Sequence, residues 1–187
     1  METSIETKMQ DPFAINALVA RAAVDKHAFT QLYRHYLPRI YGYVLSRVGD
    51  EASAEDICGQ VFLALLQKLP QLRDPQRFSA WLFSIARNKC MDHFRTLKRE
   101  QARNASLGHL FAEASAETDE LDGLEAAFQA LPELEQDILR LRFLGDMRLK
   151  EIAEVLKRSE SSVKARYYRC LEKLQLSMSM EDDHDGN

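Results

Sequence analysis

Apolar residues recur every three or four positions along most of the chain, which predicts amphipathic α-helices. Pro38 interrupts the most regular stripe and predicts a kink or a break, and Gly49 with Asp50 ends that element. A second helix is predicted to begin at Ser53, and a third to cover residues 78–97. The candidate core positions of these three helices are Phe29, Leu32, Tyr33, Tyr36, Leu37, Ile40 and Val44; then Ile57, Val61 or Phe62, Leu65 and Leu69; then Trp81, Leu82, Ile85 and Phe94.

The pattern is lost after residue 97 and returns near residue 125. The intervening segment is rich in Ser, Ala, Asn, Gly and acidic residues, which is typical of a flexible acidic linker. We therefore predict an all-α fold with two small helical domains, the second of them a helix-turn-helix. The predicted boundaries are 10–97 for the first domain, 98–124 for the linker, 125–177 for the second domain and 178–187 for an acidic tail.

The second domain contains a run of short predicted helices. Pro132 is tolerated in a first helical turn, and Gly145 can end that helix. The spacing of Leu149, Ile152, Ala153 and Leu156 predicts a second helix, and Ser159 is a candidate N-cap for a third. Two short helices joined by a tight turn, with a basic outward face on the last one, favour a helix-turn-helix over a plain α-hairpin.

Composition excludes several classes of protein. The 187 residues are 45% hydrophobic and 29% charged, an ordinary globular balance, and no apolar run is long enough to cross a bilayer. The polar N-terminus is unlike a signal peptide, so we expect a cytoplasmic protein without membrane insertion. The three cysteines and five histidines are scattered without zinc spacing, so we expect neither a metal nor another cofactor.

Charge changes the picture when it is counted by segment. The formal net charge is −4, which alone argues against a nucleic-acid partner. However, residues 87–103 hold six basic and two acidic residues, and residues 138–173 hold ten and five. Residues 104–137 between them hold nine acidic residues and neither Lys nor Arg. This layout is that of two contact surfaces for an anionic ligand, although solvated helix faces would also produce it.

The motifs resemble those of bacterial sigma factors. FTQLYRHYLPRIYGYVLSRVGD, SAEDICGQVFLALLQKL and FSAWLFSIARNKCMDHFR resemble their second conserved region, and LPELEQDILRLRFLGDMRLKEIAEVLKRSESSVKARYYRCLEKL resembles their fourth. A short chain with only these two regions is similar to the extracytoplasmic-function (ECF) group of the sigma-70 family. The resemblance implies a non-enzymatic factor that binds core RNA polymerase, recognises and melts the minus-ten element, recognises the minus-thirty-five element and is restrained by an anti-sigma factor.

The resemblance also implies site residues. Arg77 belongs to the loop that holds an extruded base, and two helices carry the remaining DNA-binding positions. These positions are Arg87, Asn88, Lys89, Asp92 and Arg95 at the minus-ten element, and Lys164, Ala165, Arg166, Tyr168 and Arg169 at the minus-thirty-five element. Trp81 is a candidate stacking wedge, but its helical spacing with Ile85 favours a core position. Asp56, Gln60 and Val61 match positions that face the polymerase.

Several residues depart from the family pattern. Gly59 stands where a larger polar residue is usual, and Ala165 replaces a small hydroxyl residue. Lys157 and Arg158 replace the usual glycine and apolar residue of the turn. Two other functions compete with the sigma-factor interpretation: a helix-turn-helix regulator that acts without recruiting polymerase, and a helical adaptor that binds only protein.

Overall fold

The computed structural model describes residues 12–105 and 122–182, and the regular structure within these stretches is helical. The helices are α1 Pro12–Ala22, α2 Lys26–Val48, α3 Glu51–Lys68, α4 Phe78–Ala105, α5 Asp122–Gln129, α6 Glu133–Phe143, α7 Leu149–Leu156 and α8 Glu160–Asp182. Two 3₁₀ turns, Leu69–Gln71 and Pro75–Arg77, join α3 to α4. We call residues 12–105 the N-terminal domain and 122–182 the C-terminal domain. The all-α, two-domain prediction is confirmed.

Side-chain caps determine where α2 and α3 begin. Asp25 accepts hydrogen bonds from the backbone nitrogens of His27 and Ala28 at 2.9 and 3.2 Å, and α2 then continues through Pro38 without a break. Asp50 accepts from the backbone nitrogen of Ser53 at 2.7 Å and caps α3. The predicted start of α3 at Ser53 is therefore two residues late, because the aspartate is the cap and the serine supplies the bonded N–H.

Helix α4 is longer than the pattern predicted. It extends to Ala105, whereas apolar periodicity ends at Leu97. The added residues KREQARNA are mostly strong helix formers, so the helix continues although one face no longer packs on a core. Phe94 was predicted to be core, but it is 38% exposed on this helix.

The N-terminal core follows the predicted stripes closely. Most predicted positions of α2 are buried, with Tyr33 partly exposed at 36%. Phe83 is also fully buried in α4, and it packs edge-on against Tyr43 of α2 with ring centroids 5.8 Å apart. The fully buried side chains of this domain include Leu32, Ile40, Tyr43, Val44, Leu65, Phe78, Leu82 and Phe83.

The C-terminal domain contains the predicted helix-turn-helix, formed by α7, a short turn and α8. Ser159 Oγ accepts from the backbone nitrogen of Ser162 at 3.3 Å, as expected of an N-cap. Lys157 ends α7 in the left-handed conformation, with φ 52° and ψ 50°. This is the conformation that glycine adopts most easily, which explains the family's usual residue there.

The two domains pack directly against each other, which the sequence did not indicate. Helices α6 and α7 lie against α2 and α4, and Phe83 belongs to the same apolar cluster as Leu141 and Met147. A Cβ at Gly145 would lie 3.1 Å from the Phe83 ring and 2.6 Å from the Leu141 carbonyl oxygen, so only glycine fits this turn. The close approach of the two backbones therefore depends on Gly145.

Membrane and metal sites were also searched among residues 12–105 and 122–182. None of the helices there combines the length and the apolar character needed to cross a bilayer. The same stretches hold no group of three His, Cys, Asp or Glu side chains that could ligate a metal ion. Cys58, Cys90 and Cys170 are buried as free thiols, and burial raises the pKa of each to about 11.

Candidate nucleic-acid interface

The outer face of α8 exposes most of the residues predicted to read the minus-thirty-five element. Lys164, Ala165, Tyr168 and Arg169 are exposed, with Tyr168 at 55%. The opposite face is buried through Val163 and Cys170. This division matches an α-helix that packs on its domain with one side and offers the other to a groove.

Arg166 differs from its neighbours because it turns toward its own domain. Its Nη1 atom lies 3.6 Å from Glu135 Oε1, and Lys173 Nζ lies 3.6 Å from the other carboxylate oxygen. Glu135 belongs to α6 and is only 3% exposed. This buried carboxylate joins α8 to α6 and helps to set the position of the helix. Sequence reasoning missed Glu135, since an acidic residue in the first turn of a helix is ordinary.

The residues of α4 predicted to face the minus-ten element occupy different environments. Asn88, Asp92 and Arg95 are exposed and Lys89 is half-buried. Arg95 Nη1 donates to Asp92 Oδ1 at 2.8 Å within the helix. Arg87 is more enclosed, because its Nε donates to Asp137 Oδ2 of α6 at 3.0 Å. The structure thus brings one predicted DNA contact against the other domain.

The predicted base-holding loop borders a cleft of about 320 Å³ between the domains. Arg77 is exposed, and its Nε donates to Glu154 Oε2 of α7 at 2.9 Å. Trp81 is half-buried: it packs against Phe78, with centroids 6.0 Å apart, and also lines the cleft. The lining consists of Leu72, Arg73, Asp74, Arg77, Ala80, Trp81, Ser84 and Glu154.

Asp137 is the most enclosed charged residue at this junction, with no exposed surface. It accepts from Arg87, and it is paired with Arg47 of α2, whose Nη2 also donates to Glu133 at 2.7 Å. The Tyr43 hydroxyl donates to Asp137 at 3.5 Å, and burial raises the pKa of this phenol far above its usual value. Sequence reasoning missed Asp137, because nothing local shows that partners 50 and 90 positions away will surround it.

The α3 residues predicted to bind polymerase are divided by the structure. Asp56 and Gln60 are exposed on one face, whereas Val61 has no exposed surface and packs in the core. The prediction that Val61 meets a partner is corrected, because its side chain faces inward. Leu63 and Leu66, which are 59% and 52% exposed, continue the outward face instead. Their exposure was missed because period-3.6 patterns assign leucines to the core.

A groove of about 510 Å³ between α2 and α3 adjoins this outward face. Gly59 lines the groove, and a Cβ built on it meets no atom within 4 Å. The residue that departs from the family pattern therefore leaves space that a larger side chain would fill. The walls are Tyr33, Leu37, Pro38, Tyr41, Glu55, Cys58, Gly59 and Phe62.

Comparison with known families and sequences accounts for both domains. Residues 32–100 match the model of sigma-70 region 2, and residues 121–174 match that of sigma-70 region 4. The chain is 34% identical over 166 residues to the ECF RNA polymerase sigma factor BldN of Streptomyces coelicolor. This match covers 84% of the chain but 63% of that relative. A 28% match to the ECF RNA polymerase sigma factor RpoE of Cereibacter sphaeroides covers 83% of this chain and 88% of the relative.

Solved structures give the same result. CnrH, in complex with the cytosolic domain of CnrY, superimposes with a TM-score of 0.65 at 26% identity, covering 91% of this chain and 99% of CnrH. RpoE of Bartonella quintana, in complex with the anti-sigma factor NepR, gives a TM-score of 0.64 at 20% identity over 81% of this chain and 96% of RpoE. At that identity the second likeness supports the fold alone.

Proposed function

Since the chain belongs to the ECF group of the bacterial sigma-70 family, we propose that it binds core RNA polymerase and directs it to specific promoters. The observation that carries the proposal is the pair of matched regions, region 2 followed by region 4, each with its predicted contact residues on a helix face. RNA synthesis is carried out by the polymerase, and this chain contributes recognition and melting rather than catalysis. It acts in the cytoplasm, where the polymerase is.

Helix α8 reads the minus-thirty-five element from the major groove, which is wide enough to admit an α-helix. Arg169 is suited to a bidentate contact with guanine, and Tyr168 to apolar and stacking contacts. Lys164 grips phosphate, and Ala165 leaves room for close approach without a hydrogen bond. Arg166 contributes from the edge of this surface, since part of its guanidinium is engaged by Glu135.

The N-terminal domain recognises and melts the minus-ten element. Melting needs a pocket for an extruded base, because the Watson–Crick edge is hidden in duplex DNA. The cleft beside Arg77 and Trp81 supports this role by combining a cation with an aromatic face. Along α4 the contacts are Arg87, Asn88, Lys89, Asp92 and Arg95. The basic members grip phosphate, whereas Asn88 pairs with a base edge and Asp92 accepts from a cytosine amino group.

The exposed face of α3 binds core polymerase. Asp56 and Gln60 provide a polar rim, and Leu63 and Leu66 provide the apolar centre that a separable interface needs. An anti-sigma factor is the second protein partner. This proposal rests on the family and on the Bartonella quintana relative, whose solved structure contains one.

In vitro transcription tests the proposal. Core polymerase with and without the purified chain is given fragmented genomic DNA of its source, and the transcripts are sequenced. We expect new, discrete start sites that require the chain, with permanganate-reactive thymines just upstream of each. A helix-turn-helix regulator would instead bind duplex DNA without polymerase, and an adaptor would produce neither result.

A further inference from the structure

The contact between the domains uses two of the arginines proposed to bind promoter DNA. Arg87 donates from Nε to Asp137 at 3.0 Å, and Arg77 donates from Nε to Glu154 at 2.9 Å. Both arginines belong to the N-terminal domain and both carboxylates to the C-terminal domain. In each pair a carboxylate occupies a position from which the same guanidinium could bind a phosphate, because both anions accept the same planar pair of N–H donors.

The two pairs differ in strength. Asp137 has no exposed surface and is held by Arg47 as well as Arg87. A buried carboxylate that loses its partners is costly, so this pair resists separation. The Arg77 side chain is 63% exposed and Glu154 is 30% exposed, so their pair is accessible to solvent and weaker. Asp137 therefore provides most of the hold, and Glu154 covers the cleft.

Glu154 also affects what can enter that cleft. It forms the wall contributed by the C-terminal domain, opposite the loop that contains Arg73 and Arg77. A flipped base would bring its own phosphates beside this carboxylate, and like charges at such distances repel. An entering nucleotide must therefore displace Glu154 and α7 with it.

We infer that this packed arrangement is a resting state in which Asp137 and Glu154 compete intramolecularly with DNA for Arg87 and Arg77. The inference rests on the proposed function, because it needs these arginines to be DNA contacts. It accounts for how region 2 is kept from DNA in the free chain without any second protein. Only separation of the domains frees the minus-ten surface, so the apparent affinity for DNA is reduced by the fraction of molecules that are closed.

The first measurement follows domain separation and does not depend on DNA. Dyes are attached through Ala52→Cys on α3 and Leu176→Cys on α8, two exposed positions, while the three native thiols are buried. In this background Asp137→Asn removes the buried charge, and Glu172→Gln, exposed on α8, is the control with the same change in net charge. We expect energy transfer to fall with Asp137→Asn and to stay unchanged with Glu172→Gln.

The second measurement is binding of a labelled random-sequence DNA single strand, about 20 nucleotides long, at physiological salt. We expect Asp137→Asn to bind about tenfold more tightly than Glu172→Gln, because an open fraction that rises tenfold raises the apparent affinity equally. Glu154→Gln alters no buried group, so it tests the same competition in a variant whose core is intact. It should also bind DNA more tightly than the control.

Two results would overturn the inference. One is unchanged energy transfer and DNA binding in a folded Asp137→Asn protein, or, where that variant fails to fold, a Glu154→Gln protein that binds no better than Glu172→Gln. The other is domain separation without any gain in DNA binding. If the variants open and bind single strands, yet core polymerase gives no new transcripts with them or with the unaltered chain, the proposed function fails and the closed state remains.

Discussion

The two surfaces proposed to read the promoter differ in how accessible they are. In the C-terminal domain, Lys164, Tyr168 and Arg169 lie on an exposed helix face. In the N-terminal domain, Arg77 and Arg87 pair with carboxylates of the other domain. The difference teaches that a predicted contact residue must be judged by its present partner as well as by its type. An exposed arginine is ready for DNA, whereas a paired one must first exchange a carboxylate for a phosphate.

The buried side of this contrast leads to the prediction with the largest effect. Arg47 is 3% exposed in its side chain and is paired with Asp137 and Glu133. Arg47→Met keeps much of the volume but leaves Asp137 with Arg87 as its remaining arginine. We expect the free energy of unfolding to fall by about 3 kcal/mol, as for other broken buried pairs. Urea denaturation followed by circular dichroism measures it.

The matched control for Arg47→Met is Arg95→Met in α4. Its pair with Asp92 is exposed on both sides, with side-chain exposures of 63% and 62%. A pair in that environment contributes less than about 1 kcal/mol. Equal losses of stability in the two variants would show that the contact between the domains contributes little to the folded state.

The exposed side of the contrast predicts a loss of specificity. Arg169→Ala should weaken promoter binding by the polymerase complex by about 1–3 kcal/mol if the guanidinium reads a base edge. The loss should depend on which base pair lies opposite. Lys164→Ala, which removes a phosphate contact, should weaken all promoters alike and flatten the salt dependence. Fluorescence anisotropy on a set of promoter variants separates the two, and normal binding by Arg169→Ala throughout would refute the assignment of α8.

Local pattern predicted much of the fold, since apolar spacing reports which face of a helix is buried. It identified Leu32, Ile40 and Leu82 as core, and Ser159 as a cap. It could not report what that face is buried against. Asp137 and Arg87 are 50 positions apart, and only the folded chain brings them together.

The same limit explains the errors at the polymerase face. Leucines at helical spacing are assigned to the core by default, so Leu63 and Leu66 were missed, while Val61 was transferred from the family pattern although it points inward. The length of α4 depends on propensity rather than on burial, and periodicity is blind to that. Residue type and spacing therefore predict elements better than they predict partners.

The turn of the helix-turn-helix offers a smaller test within the C-terminal domain. Lys157 and Asp146 are the described non-glycine residues with positive φ, at 52° and 48°. A left-handed residue with a Cβ is strained by about 1 kcal/mol, so Lys157→Gly should raise the stability of the domain by up to that amount. Arg158→Gly, at a position without positive φ, should not. Thermal unfolding of both variants measures the difference, and a lower midpoint for Lys157→Gly would contradict it.

The smallest effect concerns pH at the edge of the contact between the domains. Arg39 of α2 donates from Nε to the Gly145 carbonyl oxygen at 3.0 Å and lies 3.1 Å from His35 Nε2 through Nη1. Burial lowers the pKa of His35 below 6.5, and the nearby Arg39 charge lowers it further, while Asp146 acts in the opposite direction. The neutral imidazole can accept from Arg39, whereas a protonated ring would oppose it.

The sign of the pH dependence follows from that lowered pKa. The unfolded chain binds the proton first as pH falls, so the stability contributed at His35 is fully present above about pH 6.5 and is lost as pH drops through the folded-state value. We expect the free energy of unfolding to decline between pH 7 and pH 5, and the decline to be shallower in His35→Gln, which keeps an acceptor but cannot titrate there. Urea titrations at several pH values measure both slopes. Because the Asp137 cluster contains no histidine, identical slopes would mean that the arginine contacts near Gly145 are insensitive to the charge of their neighbour.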